Sequence, residues 1–233
     1  MRQRTTVTGL GERFQLLNEI IADVVKRHRR DAHNVKLLAV SKRRTSAEIR
    51  QCALLGQVAF GENYLQEALP KINDCQDLRL EWHFIGRIQR NKTTDVAKNF
   101  DWVHTVDRIS VAKRLNDQRP EELAPLEVCV QVNLDGALNK AGVPPGQLTQ
   151  LLAEVSGLKR LRLRGLMTMP EPSEGVELQR LPFQQLATLL AAAAVDYPAM
   201  DVLSMGMSGD MDAAVAEGST LLRIGTALFG PRP

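Results

Sequence analysis

Two basic residues, far apart in the chain, interrupt or close runs that read as buried strands. Lys42 ends VKLLAVSK, residues Val35 to Lys42. This apolar, β-branched-rich run fits a parallel strand that delivers one amine to the C-terminal edge of a sheet. Apolar surroundings disfavour the ammonium form, and a neutral amine is what Schiff-base chemistry with an aldehyde needs. The segment alone fits equally a lysine that is merely the first solvated residue after a strand. Arg223 breaks LLRIG, which should be buried on both faces. A buried guanidinium stays charged and must be paired or hydrogen-bonded. Its partner is either a carboxylate across a barrel mouth, with Asp107 and Glu62 as candidates, or a ligand's ring nitrogen or phosphate.

Between these lies SMGMSGD, Ser204 to Asp210, a glycine-punctuated turn that opens a short helix. Gly206 and Gly209 allow close backbone approach, Ser208 supplies a hydroxyl, and a helix N-terminus supplies N–H groups. RIGT adds Gly225 and Thr226 as further backbone donors. Two ordinary turns would look the same one at a time. Together, an amine, an anion cup and a buried arginine fit an aldehyde that carries a phosphate. Pyridoxal 5′-phosphate (PLP) is such a molecule, with arginine facing its pyridine nitrogen. An arginine there would leave that nitrogen unprotonated and the cofactor a weak electron sink.

The elements that would position these groups alternate along the chain. Leu10, Phe14, Leu17, Ile21, Val24 and His28 recur at helical spacing and predict an amphipathic helix from Leu10 to Arg30. Strands are expected at Val35 to Lys42, Gln57 to Asn63, Leu80 to Gly86, Trp102 to Asp107, Leu126 to Leu134, Leu161 to Met169, Met200 to Gly206 and Leu221 to Thr226. Helices fall between them. Thr45 and Glu48 have capping-box spacing and Gly56 can stop that helix. Pro70 should kink or end the next helix near Leu69, and another is expected from about Pro182 to Val195. Eight strands, each preceded by a helix, predict an α/β fold: a (β/α)8 TIM barrel with an extra N-terminal helix. Residues 1–233 then form one domain, a length ordinary for such barrels at roughly 200–250 residues. The active site of such a barrel lies at the C-terminal strand ends, with phosphate at the loops after strands seven and eight.

Composition narrows the function classes. The 233 residues are 44% hydrophobic with net charge +3, and the basic residues are scattered apart from Lys26 to Arg30 and Lys42 to Arg44. With only 4% aromatics to stack bases, nucleic-acid binding is weakly supported. No apolar run approaches the roughly 20 residues of a membrane span. Cys52, Cys75 and Cys129 are too far apart for a zinc or thiol-redox motif, and the four histidines show no ligand spacing, so no metal is expected. An odd cysteine count with no signal peptide predicts a cytoplasmic protein.

AVSK (Ala39 to Lys42), FGENYLQE (Phe60 to Glu67), WHFIGRIQRNK (Trp82 to Lys92), GLMTM (Gly165 to Met169), SMGMSGD and GSTLLRIGTALFG (Gly218 to Gly230) occur together and in order. In these the chain resembles the pyridoxal phosphate homeostasis proteins, from about Leu10 to Gly230. That family is similar in turn to the N-terminal barrel of alanine racemase. The resemblance implies that Lys42 carries PLP as an aldimine, that Ser208, Gly209, Gly225 and Thr226 hold the phosphate, that Arg223 faces the pyridine nitrogen and that Asn63 lies beside the cofactor. His83 is implied as a neighbour or as core packing. Thr45 stands where a proline commonly follows the lysine motif, and Asp135 where a serine is usual.

Three functions compete: a non-catalytic PLP-binding protein of vitamin B6 homeostasis, a PLP-dependent amino-acid racemase, and a barrel without cofactor. Racemisation needs acid and base on both faces of the substrate's Cα. Alanine racemases take a tyrosine for this from a further domain of the partner subunit. Here Tyr64 and Tyr197 are the only tyrosines and the sequence ends just after the eighth strand. The expectation is therefore a monomeric carrier of PLP, with PLP-dependent apoenzymes as partners and no amino-acid turnover.

Overall fold

The computed structural model describes residues 9–136 and 140–231. Its centre is a closed barrel of eight parallel strands, β1 (Lys36–Val40), β2 (Ala59–Glu62), β3 (Glu81–Phe84), β4 (Trp102–Val106), β5 (Leu126–Gln131), β6 (Leu161–Met167), β7 (Val202–Ser204) and β8 (Leu221–Ile224). Each strand pairs with the next, and β8 closes on β1 with Arg223 beside Leu38. The strands are the eight expected, each shorter than its apolar run. Lys42 therefore sits in a turn two residues beyond β1.

The helices are α1 (Leu10–Arg27), α2 (Ser46–Leu54), α3 (Leu65–Asp74), α4 (Thr93–Asn99), α5 (Ile109–Gln118), α6 (Pro145–Ser156), α7 (Val176–Asp196), α8 (Met211–Ala216) and α9 (Thr226–Phe229). The capping box of α2 forms as read: Thr45 Oγ1 accepts from the Glu48 amide at 3.2 Å, and Glu48 Oε2 accepts from the Thr45 amide at 2.8 Å. Gly56 then turns the chain at φ +97°.

Three local expectations are corrected. α3 runs through Pro70 to Asp74, because its buried side chains Leu65, Ala68 and Lys71 hold both halves on one face. α7 starts at Val176 rather than near Pro182. Val176, Leu178 and Leu181 are exposed there, so that first stretch carries no core-facing pattern to read. Thr226 belongs to the short α9 and not to the eighth strand.

Side-chain alternation along the strands gives the barrel two interiors. One apolar cluster joins helix residues such as Leu17, Ile49, Leu115 and Leu186 to strand residues Phe60, Val103, Val128 and Leu203. A smaller one, Trp102, Cys129 and Met167, comes from strands alone. Among the same strands, His83, His104, Ser204 and Arg223 are buried and polar. The inside of this barrel is thus partly a hydrogen-bonded core.

Candidate functional site

A cavity of about 240 Å³ opens at the C-terminal strand ends. All seven residues singled out in the sequence line it: Lys42 after β1, Asn63 after β2, Ser208 and Gly209 after β7, Arg223 on β8, and Gly225 and Thr226 beyond β8. Arg223 is only 5% exposed and forms its buried wall, while Ser208, Gly209 and Thr226 are exposed at the rim. His83 lies elsewhere, at the opposite end of the barrel.

The Lys42 turn is anchored on both sides. Ser41 donates from Oγ to Glu62 Oε1 at 2.6 Å, and Lys71 Nζ donates to the Ser41 carbonyl at 2.9 Å and to Glu62 Oε1 at 2.8 Å. Burial pushes the Glu62 carboxyl up, and Lys71 and Ser41 oppose that. On the other side Arg43, at φ +58°, donates its amide to Glu67 Oε2 at 2.9 Å.

Asn63 is placed by a glycine across the sheet. A Cβ on Gly86 would lie 1.9 Å from the Asn63 carbonyl oxygen, so only glycine admits this backbone approach. The Asn63 side-chain oxygen Oδ1 is buried without a hydrogen-bond partner, on a residue that lines the cavity.

The β7 turn divides its glycines by role. Gly206 has φ +95°, and a Cβ there would meet Ala214 Cβ at 2.6 Å and Leu222 Cδ2 at 2.8 Å. A side chain at Gly209 would meet no protein atom within 4 Å, so packing does not require glycine there. Asp210 Oδ1 accepts from the Met207 amide at 2.5 Å and ties the turn down.

Arg223 meets neither of the two candidate carboxylates. Its Nη1 donates to Ser204 Oγ at 2.9 Å and its Nη2 to the Thr168 carbonyl at 2.8 Å. Glu62 is taken by Lys71, and Asp107 by Arg108 at 2.6 Å. Burial lowers the Arg223 pKa to about 10, with Asp210 and Cys129 opposing that. The group remains a cation at neutral pH, wrapped in neutral oxygens on the protein side.

Further lining residues escaped the sequence reading: Arg44, Ile85, Met167, Met169 and Met207. Met167 and Met169 sit two apart at the end of the β6 run, which is a signal that could have placed both on the inner face. Arg44 donates to the Gly230 carbonyl at 2.6 Å and stacks over Phe229, so it also fastens α9 to the Lys42 turn.

The family described as alanine racemase, N-terminal domain, matches residues 19–233. A pyridoxal phosphate homeostasis protein of Vibrio alginolyticus is 50% identical over 207 residues, covering 87% of this chain and 89% of that one. PipY from Synechococcus elongatus, solved with PLP bound, superposes with TM-score 0.83 at 36% identity, covering 95% of this chain and 100% of that one. An alanine racemase of Clostridium difficile shares the fold at TM-score 0.68, with 14% identity over 93% of this chain and 57% of the racemase.

Proposed function

We propose, from the premise that the chain belongs to the pyridoxal phosphate homeostasis protein family, that it binds PLP in this cavity and holds it without amino-acid turnover. The observation that carries the reading is Arg223: a buried guanidinium in the same cavity as the Lys42 side chain, hydrogen-bonded on the protein side to neutral oxygens. The orphaned Oδ1 of Asn63 and the open space above Gly209 support it independently.

When bound, PLP supplies an aldehyde that condenses reversibly with a primary amine. Lys42 would hold it covalently through its amine. Ser208 and the backbone of Gly209, Gly225 and Thr226 would hold the phosphate at the solvent rim. Arg223 would face the pyridine nitrogen and, as a group that only donates, leave it without a proton. Asn63 would lie beside the ring. The apolar side chains of Val40, Ile85 and Met167 in the cavity wall would help exclude water from the bound cofactor.

On this reading the protein is a monomeric cytoplasmic reservoir of PLP, and its partners are the cofactor and the apoenzymes that need it. Three buried free cysteines support a reducing compartment. No helix among the described residues is long and apolar enough to cross a membrane.

The deciding experiment is an absorbance spectrum of the purified protein with PLP, followed by borohydride reduction and peptide mapping. The visible band should vanish on reduction and the label should map to Lys42. A Lys42→Ala protein that keeps the same band would sink the assignment. Ser208→Ala should weaken PLP binding about tenfold or more, the cost of one hydrogen bond to a charged group. Unphosphorylated pyridoxal should be affected little.

A further inference from the structure

Four hydrogen bonds run in series through the inside of the barrel, from the cavity to its opposite mouth. Arg223 Nη1 contacts Ser204 Oγ at 2.9 Å, Ser204 Oγ contacts His104 Nδ1 at 2.7 Å, His104 Nε2 contacts His83 Nδ1 at 2.8 Å, and His83 Nε2 contacts Glu81 Oε1 at 2.7 Å. The step from His104 to Ser204 joins β4 to β7, which are not neighbours in the sheet. It therefore crosses the lumen. Every member except Glu81 is buried, with His104 and Ser204 at 0% exposure and His83 at 1%. Glu81 and His83 line a polar cavity at the N-terminal strand ends, together with Lys36, Trp102 and Arg164.

The two ends fix the polarity of the chain. Arginine only donates, and a carboxylate only accepts. Glu81 accepts, so a neutral His83 carries its hydrogen on Nε2 and accepts at Nδ1 from His104 Nε2. A neutral His104 in turn accepts at Nδ1 from the Ser204 hydroxyl, whose oxygen accepts from Arg223. With both rings neutral, this is the one arrangement of tautomers that satisfies all four bonds, and it runs from cation to anion without a break. Such aligned dipoles polarise one another in a low-dielectric interior.

We propose that Ser204, His104 and His83 are positioning residues, a one-way relay that brings the negative charge of Glu81 to bear on Arg223 and aims its guanidinium into the cavity. The relay adds to the through-space support of Asp210 at a buried cation whose own hydrogen bonds go to neutral oxygens. Because arginine cannot accept a proton, the chain transmits polarisation and orientation but conducts no proton into the site.

The surroundings keep both rings neutral. His104 faces His83 and Arg223, and burial plus these neighbours holds it well below the ordinary histidine range. His83 faces Glu81, Asp101 and Lys36, and burial outweighs the carboxylates to hold it low as well. Trp102 stacks on the His83 ring at 5.3 Å and 8°, so the ring cannot swing away from Glu81 without losing that contact.

The proposal rests on the reading of the cavity as a PLP site only for its binding readout, so the test has two arms. In the ligand-free protein, ring-nitrogen NMR at pH 6–8 should show both His83 and His104 neutral with the hydrogen on Nε2. Either ring charged, or carrying its hydrogen on Nδ1, would overturn the relay. In the second arm, Glu81→Gln keeps an acceptor for His83 but removes the charge, at a half-exposed position that tolerates the change. PLP affinity should fall about threefold, the scale of coupling through a packed network, and the bound cofactor's spectrum should shift. In an Arg223→Met background the same substitution should have no effect on either readout. Equal effects in both backgrounds would show Glu81 to be merely structural and would overturn the coupling. If the wild-type protein bound no PLP, the cavity reading would fall and the NMR arm would still decide the relay.

Discussion

Lys71 and Glu62 form a buried ion pair of 2.8 Å directly behind the residue that precedes Lys42. The pair is more than local stability. Through the Ser41 carbonyl and hydroxyl it sets where the backbone leaves β1, and hence where the next side chain starts. Lys71→Met should cost about 3–5 kcal/mol, because the Glu62 charge is then buried unpaired. Adding Glu62→Leu should recover most of that loss in urea unfolding. The double variant should nonetheless bind PLP more weakly, since Ser41 has lost both anchors. If stability and binding recovered together, the pair would have no role in placing Lys42.

Gly206 and Gly209 stand three apart in one turn and should respond oppositely to alanine. Gly206→Ala combines positive φ with a Cβ contact of 2.6 Å to Ala214, and should destabilise by roughly 2–4 kcal/mol. Gly209→Ala has room on the protein side and should leave the thermal midpoint nearly unchanged. Its methyl would occupy space at the cavity rim, so PLP affinity should drop. Thermal melts and PLP titrations of the two variants read this directly, and a stability loss at Gly209 with unchanged binding would remove it from the site.

How much of this was legible in the sequence follows from the range of each interaction. The Thr45–Glu48 capping box lies within four residues and could be read directly. So could the eight apolar runs, and six of the seven cavity residues follow from motifs placed at strand ends of a barrel, while Asn63 comes from the family resemblance alone. The passage of α3 through Pro70 could not, because the Lys71 contact that holds the second half is made with Glu62 on another element. The alternative of a carboxylate partner for Arg223 fails for the same reason. Asp107 and Glu62 sit at the correct end of their strands, yet each is already satisfied by a nearer cation. His83 reads from sequence as core packing or a cofactor neighbour. Its bonds to His104 and Glu81 depend on which strands face each other across the lumen, which no local pattern encodes.

His104 should give the fold a measurable pH dependence. Its pKa is lowered in the folded protein by burial, then by His83 and Arg223, whereas the unfolded chain has an ordinary value near 6.5. Below that value the unfolded state binds a proton that the folded state refuses. Stability should therefore be flat above about pH 7 and fall as pH drops through 6.5, by up to about 1.4 kcal/mol per pH unit for this one group. His104→Gln removes one titrating ring and should reduce the slope between pH 6.5 and 5.5, leaving the share of His83, which burial also holds low. A variant that kept the full wild-type slope there would place the dependence on another group.

The last expectation is that the protein, loaded with PLP, does not turn over amino acids at an enzyme's pace. Racemisation or transamination requires a group to remove the Cα proton and a group to return or relocate it. Among the described residues lining the cavity, no histidine, cysteine, carboxylate or tyrosine is present beside Lys42. Tyr64 is half-exposed at the start of α3 and does not line the cavity. Tyr197 follows α7 on the N-terminal side of β7, away from the site. Guanidinium groups such as those of Arg44 and Arg223 donate hydrogen bonds but do not accept them, and Ser208 and Thr226 are poor bases unless another group activates them. A missing acid–base partner removes roughly 10²–10⁴-fold in rate. An Arg223 facing the ring nitrogen, as proposed, would further weaken electron withdrawal, which would slow proton loss from Cα without alone forbidding it. The test is to incubate the PLP-loaded protein with L- and D-alanine and a panel of other amino acids, following racemisation, transamination and decarboxylation. Single, stoichiometric events at Lys42 fit a carrier. Sustained turnover at about 1 s⁻¹ or faster, the low end of ordinary enzymes, would reinstate the racemase reading and require a proton donor that the cavity wall does not contain.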